Sequence, residues 1–86
     1  MADSLPAITG KQLIRLFRLD GWEERRRVRH GISFSKVGAD GHRHVTIIPD
    51  KRSPLPPGTL GAILGSRQSW IGREGLAEMV CRHGLK

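Results

Sequence analysis

Between Trp22 and Pro49 two turn signals cut the chain into three short extended runs, and connections this short join only antiparallel neighbours. His30-Gly31 ends the first run, with Gly31 expected to supply the positive φ of a tight turn. Gly38-Ala39-Asp40-Gly41 ends the second. Pro49, which cannot donate to a ladder, closes the third at Ile48. In the first run, opened by Trp22, strict alternation places Trp22, Glu24, Arg26 and Val28 on one face and Glu23, Arg25, Arg27 and Arg29 on the other. Neither face is cleanly apolar, so this strand is expected at an edge. Ile32 and Phe34 alternate with Ser33 and Ser35 in the second run. In the third, Val45 and Ile47 are expected inward, with His44 and Thr46 outward.

Helical patterns flank these strands. Ile8-Thr9-Gly10-Lys11-Gln12-Leu13 is a start signal: Thr9 caps, Gln12 completes a capping box, and Ile8 can staple onto Leu13. Leu13, Leu16 and Phe17 share a stripe, and Gly21 is a left-handed stop after Asp20. Pro49 to Gly58, with four prolines and three charged residues, is a stiff crossing loop into a helix whose stripe is Leu60, Ile63 and Leu64. After a connection from Ser66 to Ile71, a last helix runs from about Gly72 to Arg82, with Leu76, Met79 and Val80 on its apolar face. The expectation is an α+β domain from Ile8 to His83, preceded by a flexible lead-in from Met1 to Ala7. Its three-stranded antiparallel sheet carries helices on one face only. The expected core is Leu13, Leu16, Phe17, Ile32, Phe34, Val45, Ile47, Leu60, Ile63 and Leu64.

Eighty-six residues suffice for one small core. A net charge of +7 on so short a chain points to a polyanion or an acidic protein as partner. Cys81 stands alone, which excludes an internal disulfide and fits a reducing cytoplasm. No run is long and apolar enough for a membrane span, and no secretory signal pattern opens the chain.

Arg25-Arg26-Arg27-Val28-Arg29-His30 puts a histidine at a hairpin tip behind a run of fixed positive charge. A group that titrates near neutrality beside cations suits the handling of a phosphodiester. Read blandly, His30 is a turn residue and the arginines a solvated face, but side-by-side cations repel and favour a counter-anion. His42 and His44 would share one side of a strand, but no third ligand has suitable spacing, so no metal is expected. Ser33 and Ser35 lack an acid-base partner, and Cys81 lies far along the chain.

Taken together, these features resemble the HicA-type (YcfA-like) toxins, small endoribonucleases of bacterial toxin-antitoxin pairs. The resemblance covers about Ile8 to Leu64. It is carried by the helix ending in Asp20-Gly21-Trp22, the basic strand with its His/Gly turn, and the strand containing Phe34. The Val45-to-Pro49 strand and, most specifically, Leu55-Pro56-Pro57-Gly58-Thr59-Leu60 complete it. The family usually has Gly-Ser-His or Gly-Gly-His here, its histidine opening the second strand. A gap-free count puts Gly31 at that place and His30 one residue early.

The resemblance implies a double-stranded-RNA-binding-domain-like fold, here with an added C-terminal helix, and metal-independent cleavage of mRNA without a cofactor. His30 would be the catalytic acid or base, with Arg25, Arg27, Arg29, Lys36, Arg43 and His44 contacting RNA. A HicB-type antitoxin would be the protein partner, in the cytoplasm. The rival reading is an inactive module of the same fold that binds RNA or the antitoxin without cutting.

Overall fold

In the computed structural model, which describes residues 7–65 and 68–84, Thr9 starts the first helix as its side chain dictates. The Thr9 hydroxyl accepts from the Gln12 amide at 3.0 Å, and the Gln12 side chain accepts from the Thr9 amide at 2.9 Å. This reciprocal box satisfies two of the donors that a helix start leaves orphaned. The elements that follow are α1 (Gly10–Leu19), β1 (Glu23–Val28), β2 (Gly31–Val37), β3 (Arg43–Ile48), α2 (Pro57–Leu64) and α3 (Gly72–His83). The strands form one antiparallel sheet in the order β1-β2-β3, so the expected α+β class is the one that forms. Of the lead-in, only Ala7 lies within the described residues. The Ser66-to-Ile71 connection is described from Gln68 onward.

α1 ends in a Schellman motif. Trp22 donates to the Phe17 carbonyl at 3.0 Å and Gly21 to that of Arg18 at 3.4 Å, with Gly21 at φ 91°. The motif turns Trp22 back onto Phe17, ring centroids 4.8 Å apart, and Phe34 lies 5.8 Å beyond Phe17. These three rings anchor the buried face of the sheet, and such aromatic pairs contribute beyond the area they bury. Trp22 is thus a core residue before β1, not the opening of the strand.

The expected core members Leu13, Leu16, Phe17, Ile32, Phe34, Leu60, Ile63 and Leu64 are buried. Ile8, Ile14, Trp22, Ile48, Leu55, Leu76 and Met79 join them. Helices α1 and α2 pack against β3, and α3 packs on α1 and α2. Arg15 donates to the carbonyls of Gly84 at 3.0 Å and His83 at 3.4 Å, and Arg82 bonds Asp20 at 2.6 Å. No helix among the described residues is long and apolar enough to cross a membrane.

Three local expectations need correction. The first hairpin turns at Arg29-His30, and Gly31 is already in β2. Gly31 does have the positive φ expected of it, 154°, and space demands glycine there as well: an added Cβ would overlap the Ile48 carbonyl at the end of β3.

The second correction concerns β1. Its register slips between Glu24 and Arg26, leaving Arg25 as an extra residue in a bulge. Bulges break strict alternation. Beyond it, Arg26 faces Ser33 on the open side and Arg27 faces Ile32 on the helix side, the reverse of the faces expected for them.

The third is β3. Thr46 pairs with Phe34 and Ile48 with Ile32, so Thr46 and Ile48 are buried while Val45 and Ile47 lie on the open face, 46% and 43% exposed. Shifting a strand by one residue moves its whole set of side chains to the other face. Thr46 tolerates burial because its hydroxyl donates to Gln68 Oε1 at 2.6 Å.

Candidate nucleic-acid interface

The antiparallel order decides which basic residues meet. β1 runs to the Arg29-His30 tip, β2 returns from it, and β3 comes back to the same end, where Pro49-Asp50-Lys51 leaves the sheet. That exit loop is fixed by three close approaches. Lys11 donates its amide to the Lys51 carbonyl at 3.0 Å. Gly10 and Gly31 each leave too little room for a Cβ beside Pro49 and Ile48. Hairpin tip and exit loop therefore form the two walls of one cleft of about 360 Å³, lined by Arg27, Arg29, His30, Gly31, Asp50 and Lys51 among others.

Within this cleft His30 is exposed, as a group that exchanges protons with a ligand must be. Gly31 fills the place to which the resemblance assigns a histidine, and no side chain fits there. Asp50 accepts from Arg27 at 2.5 Å and from Lys11 at 2.7 Å. Those hydrogen bonds, Lys11 first, hold its carboxyl down at about 2. Asp50 thus stays anionic and partly neutralises Arg27. Arg29 and Lys51 make no ion pair among the described residues, as their absence from the close acid-base pairs shows. The cleft therefore keeps a net positive balance.

The other expected contacts lie elsewhere. Arg25 and Arg43 share a shallow cleft of about 410 Å³ on the open sheet face with Glu23, Arg26, Ser33, Ser35 and Val45. Arg25 is engaged by Glu23 at 3.2 Å. Lys36 points to the helix side, donating to the Asp20 carbonyl at 3.3 Å with its ammonium 6.0 Å from the Trp22 ring centroid. Counted along β2, Lys36 is about 20 Å from His30. His44 pairs with Lys36 at that same far end, its ring 5.5 Å from Trp70. His42 is held in its turn by Asp40 at 2.9 Å, and this bond keeps the Asp40 carboxyl below its usual range.

The structure thus brings Arg27, Arg29 and His30 together, groups Arg25 with Arg43, and leaves Lys36 and His44 apart from both. Sequence reasoning overlooked Lys51, Asp50 and Arg26. The first two were findable: strand order alone puts whatever follows Pro49 beside the first hairpin tip. Arg26 was not, because nothing in a run of like charges announces a bulge. Among the described residues no three metal-ligating side chains converge. Compared with known proteins, the chain matches no family model, no curated protein and no solved structure.

Proposed function

We propose that this chain is a metal-independent RNA endonuclease of the HicA type, an mRNA interferase with a double-stranded-RNA-binding-domain-like fold, acting in the cytoplasm against a HicB-type antitoxin. One observation carries the reading. The histidine at the arginine-rich tip is exposed and shares a cleft with Arg29 and Lys51, two cations that no carboxylate among the described residues engages.

In the reaction a ribose 2′-oxygen bonds to the adjacent phosphorus as the bond from phosphorus to the 5′-oxygen breaks. The 2′-hydroxyl loses its proton and the leaving 5′-oxygen gains one. His30 takes the first proton or supplies the second, and Arg29 and Lys51 stabilise the added charge at phosphorus. One positioned acid-base group is worth roughly 10² to 10⁴ in rate, enough for a slow toxin. Arg27, held by Asp50, serves mainly to shape the cleft wall.

The test is incubation of purified protein with RNA in chelator. The expected products end in a 2′,3′-cyclic phosphate and a 5′-hydroxyl, and His30→Ala abolishes them. Cleavage undiminished in that variant rules out His30, and RNA binding without cleavage by the wild type leaves the binding-module reading in its place.

A further inference from the structure

The two edges of the sheet are finished differently. β1 is shielded by five consecutive charged residues, Glu23 to Arg27, and by the bulge at Arg25. Both devices discourage another strand from pairing. β3 has neither. Its register with β2 is regular from Arg43 to Ile48, and Val45 and Ile47 are exposed beside Val37, itself 56% exposed.

The phase of its hydrogen bonds follows from the turn. Gly38 donates to the His42 carbonyl at 2.8 Å. Bonded pairs recur every second residue in an antiparallel ladder. In the observed register the bonded residues of β3 are therefore His44, Thr46 and Ile48. Arg43, Val45 and Ile47 turn their N–H and C=O groups to the outer edge, and among the described residues no backbone bond reaches them there.

Alongside this edge runs a groove of about 780 Å³ between β3 and α2. Val45, Ile47, Pro56, Thr59 and Ala62 give it an apolar wall, and among the described residues its one ionisable lining residue is His30. A polynucleotide needs cations along its path. A polypeptide in extended form needs unpaired backbone groups and apolar contacts on alternate residues, and both are present.

We infer that the outer edge of β3 is a strand-addition site for an extended segment of an acidic protein, with apolar residues alternating against Val45 and Ile47. Charge selects this occupant over a second copy. Each chain carries +7. An antiparallel self-pairing centred on Val45 would set Arg43 of each copy opposite Ile47 of the other, toward its Arg29-His30 end. Acidic residues at the ends of the incoming segment meet Arg43 at one end and Arg29 with His30 at the other. Binding itself is independent of catalysis. That a strand so placed would shut the groove beside His30, and so inhibit, rests on the nuclease reading.

The test titrates isotope-labelled full chain with a synthetic peptide alternating glutamate and valine, and with a lysine-valine control, reading amide shifts and hydrogen exchange. The expected result is slowed exchange at the Val45 and Ile47 amides with the acidic peptide alone. Val45→Pro deletes an N–H that bonds nothing among the described residues and should weaken binding roughly tenfold or more. Ile47→Glu, which leaves the backbone free, should do likewise by replacing the apolar contact with a charge that repels the glutamates. The inference is overturned if both variants bind as wild type, or if the peptide perturbs only the arginines of β1. It is equally overturned if a short oligonucleotide gives the same protection, or if protection grows with protein concentration alone, which would make a second copy the occupant. No RNA is cleaved in this assay, so its failure and that of the nuclease reading are separately visible.

Discussion

β1 and β3 flank the same central strand, and each carries features that the other lacks. β1 holds the charge and the bulge, and its tip carries His30. β3 holds the exposed apolar pair and the regular register. A three-stranded sheet has two edges to protect, and this chain protects one with arginines, the same residues that the proposed function assigns to RNA. Among the described residues the other edge stays unpaired, which a free monomer has no reason to tolerate. The lesson is that one short sheet can present two chemically distinct surfaces without a second domain, because a slip of one residue decides what each edge shows.

The sharpest way to break this comparison is at the histidines. His30→Ala is expected to lower RNA cleavage by roughly 10² to 10⁴, with melting temperature nearly unchanged because the side chain is exposed. His44→Ala, at the far end of the sheet, should cleave as wild type; gel assays on both variants side by side measure it. Equal losses would merge the two ends into one site.

The division of β3 into a buried and an open face predicts the next largest difference. Ile48→Ala should cost about 2–5 kcal/mol of unfolding free energy, whereas Ile47→Ala should stay within about 0.5. Denaturant titration distinguishes them, and the opposite ranking would restore the inward placement of Val45 and Ile47.

Salt dependence sharpens the charged edge. Arg29→Ala should reduce the slope of log affinity for RNA against log salt by about one contact. Arg27→Ala should change it less, because Asp50 already holds that guanidinium.

Asp50 itself gives the smallest effect. Its folded-state value lies below the ordinary 3.8, at about 2. The stabilisation it contributes is therefore complete above 3.8 and fades as pH falls toward about 2. Asp50→Asn should flatten that part of the acid-stability curve, followed by circular dichroism, because the variant lacks at neutral pH the stabilisation that wild type gains above 3.8, while the two converge in acid.

Much of this was legible in the residues. Thr9 with Gln12, Gly21 after Asp20, and Pro49 after Ile48 each act through one local bond or one missing donor, so they could be read without knowing the partner strand. The face of β3 could not be read this way. Val45-Thr46-Ile47-Ile48 offers a β-branched residue at every position, and either alternation is plausible until Phe34 and Gln68 are seen to receive Thr46. The Arg25 bulge was hidden for a similar reason, since a run of like side chains carries no period to interrupt. At the site, His30 and Arg29 were visible as neighbours in sequence, while Lys51 becomes their neighbour only through the topology.

The bonds from Arg15 to Gly84 and from Arg82 to Asp20 join residues separated by 69 and 62 positions, whereas each pairing within the three-stranded sheet joins strands consecutive in the chain. Hairpins close on the microsecond scale and need little of the chain. Long loops cost more entropy to close and are repaid only once both ends are in place. On this ground the sheet with α1 is expected to form early, and the helix that buries Leu76 and Met79 to lock last and open first. Slow native-state opening should begin at α3 and reach the hairpin bearing His30 only with global unfolding.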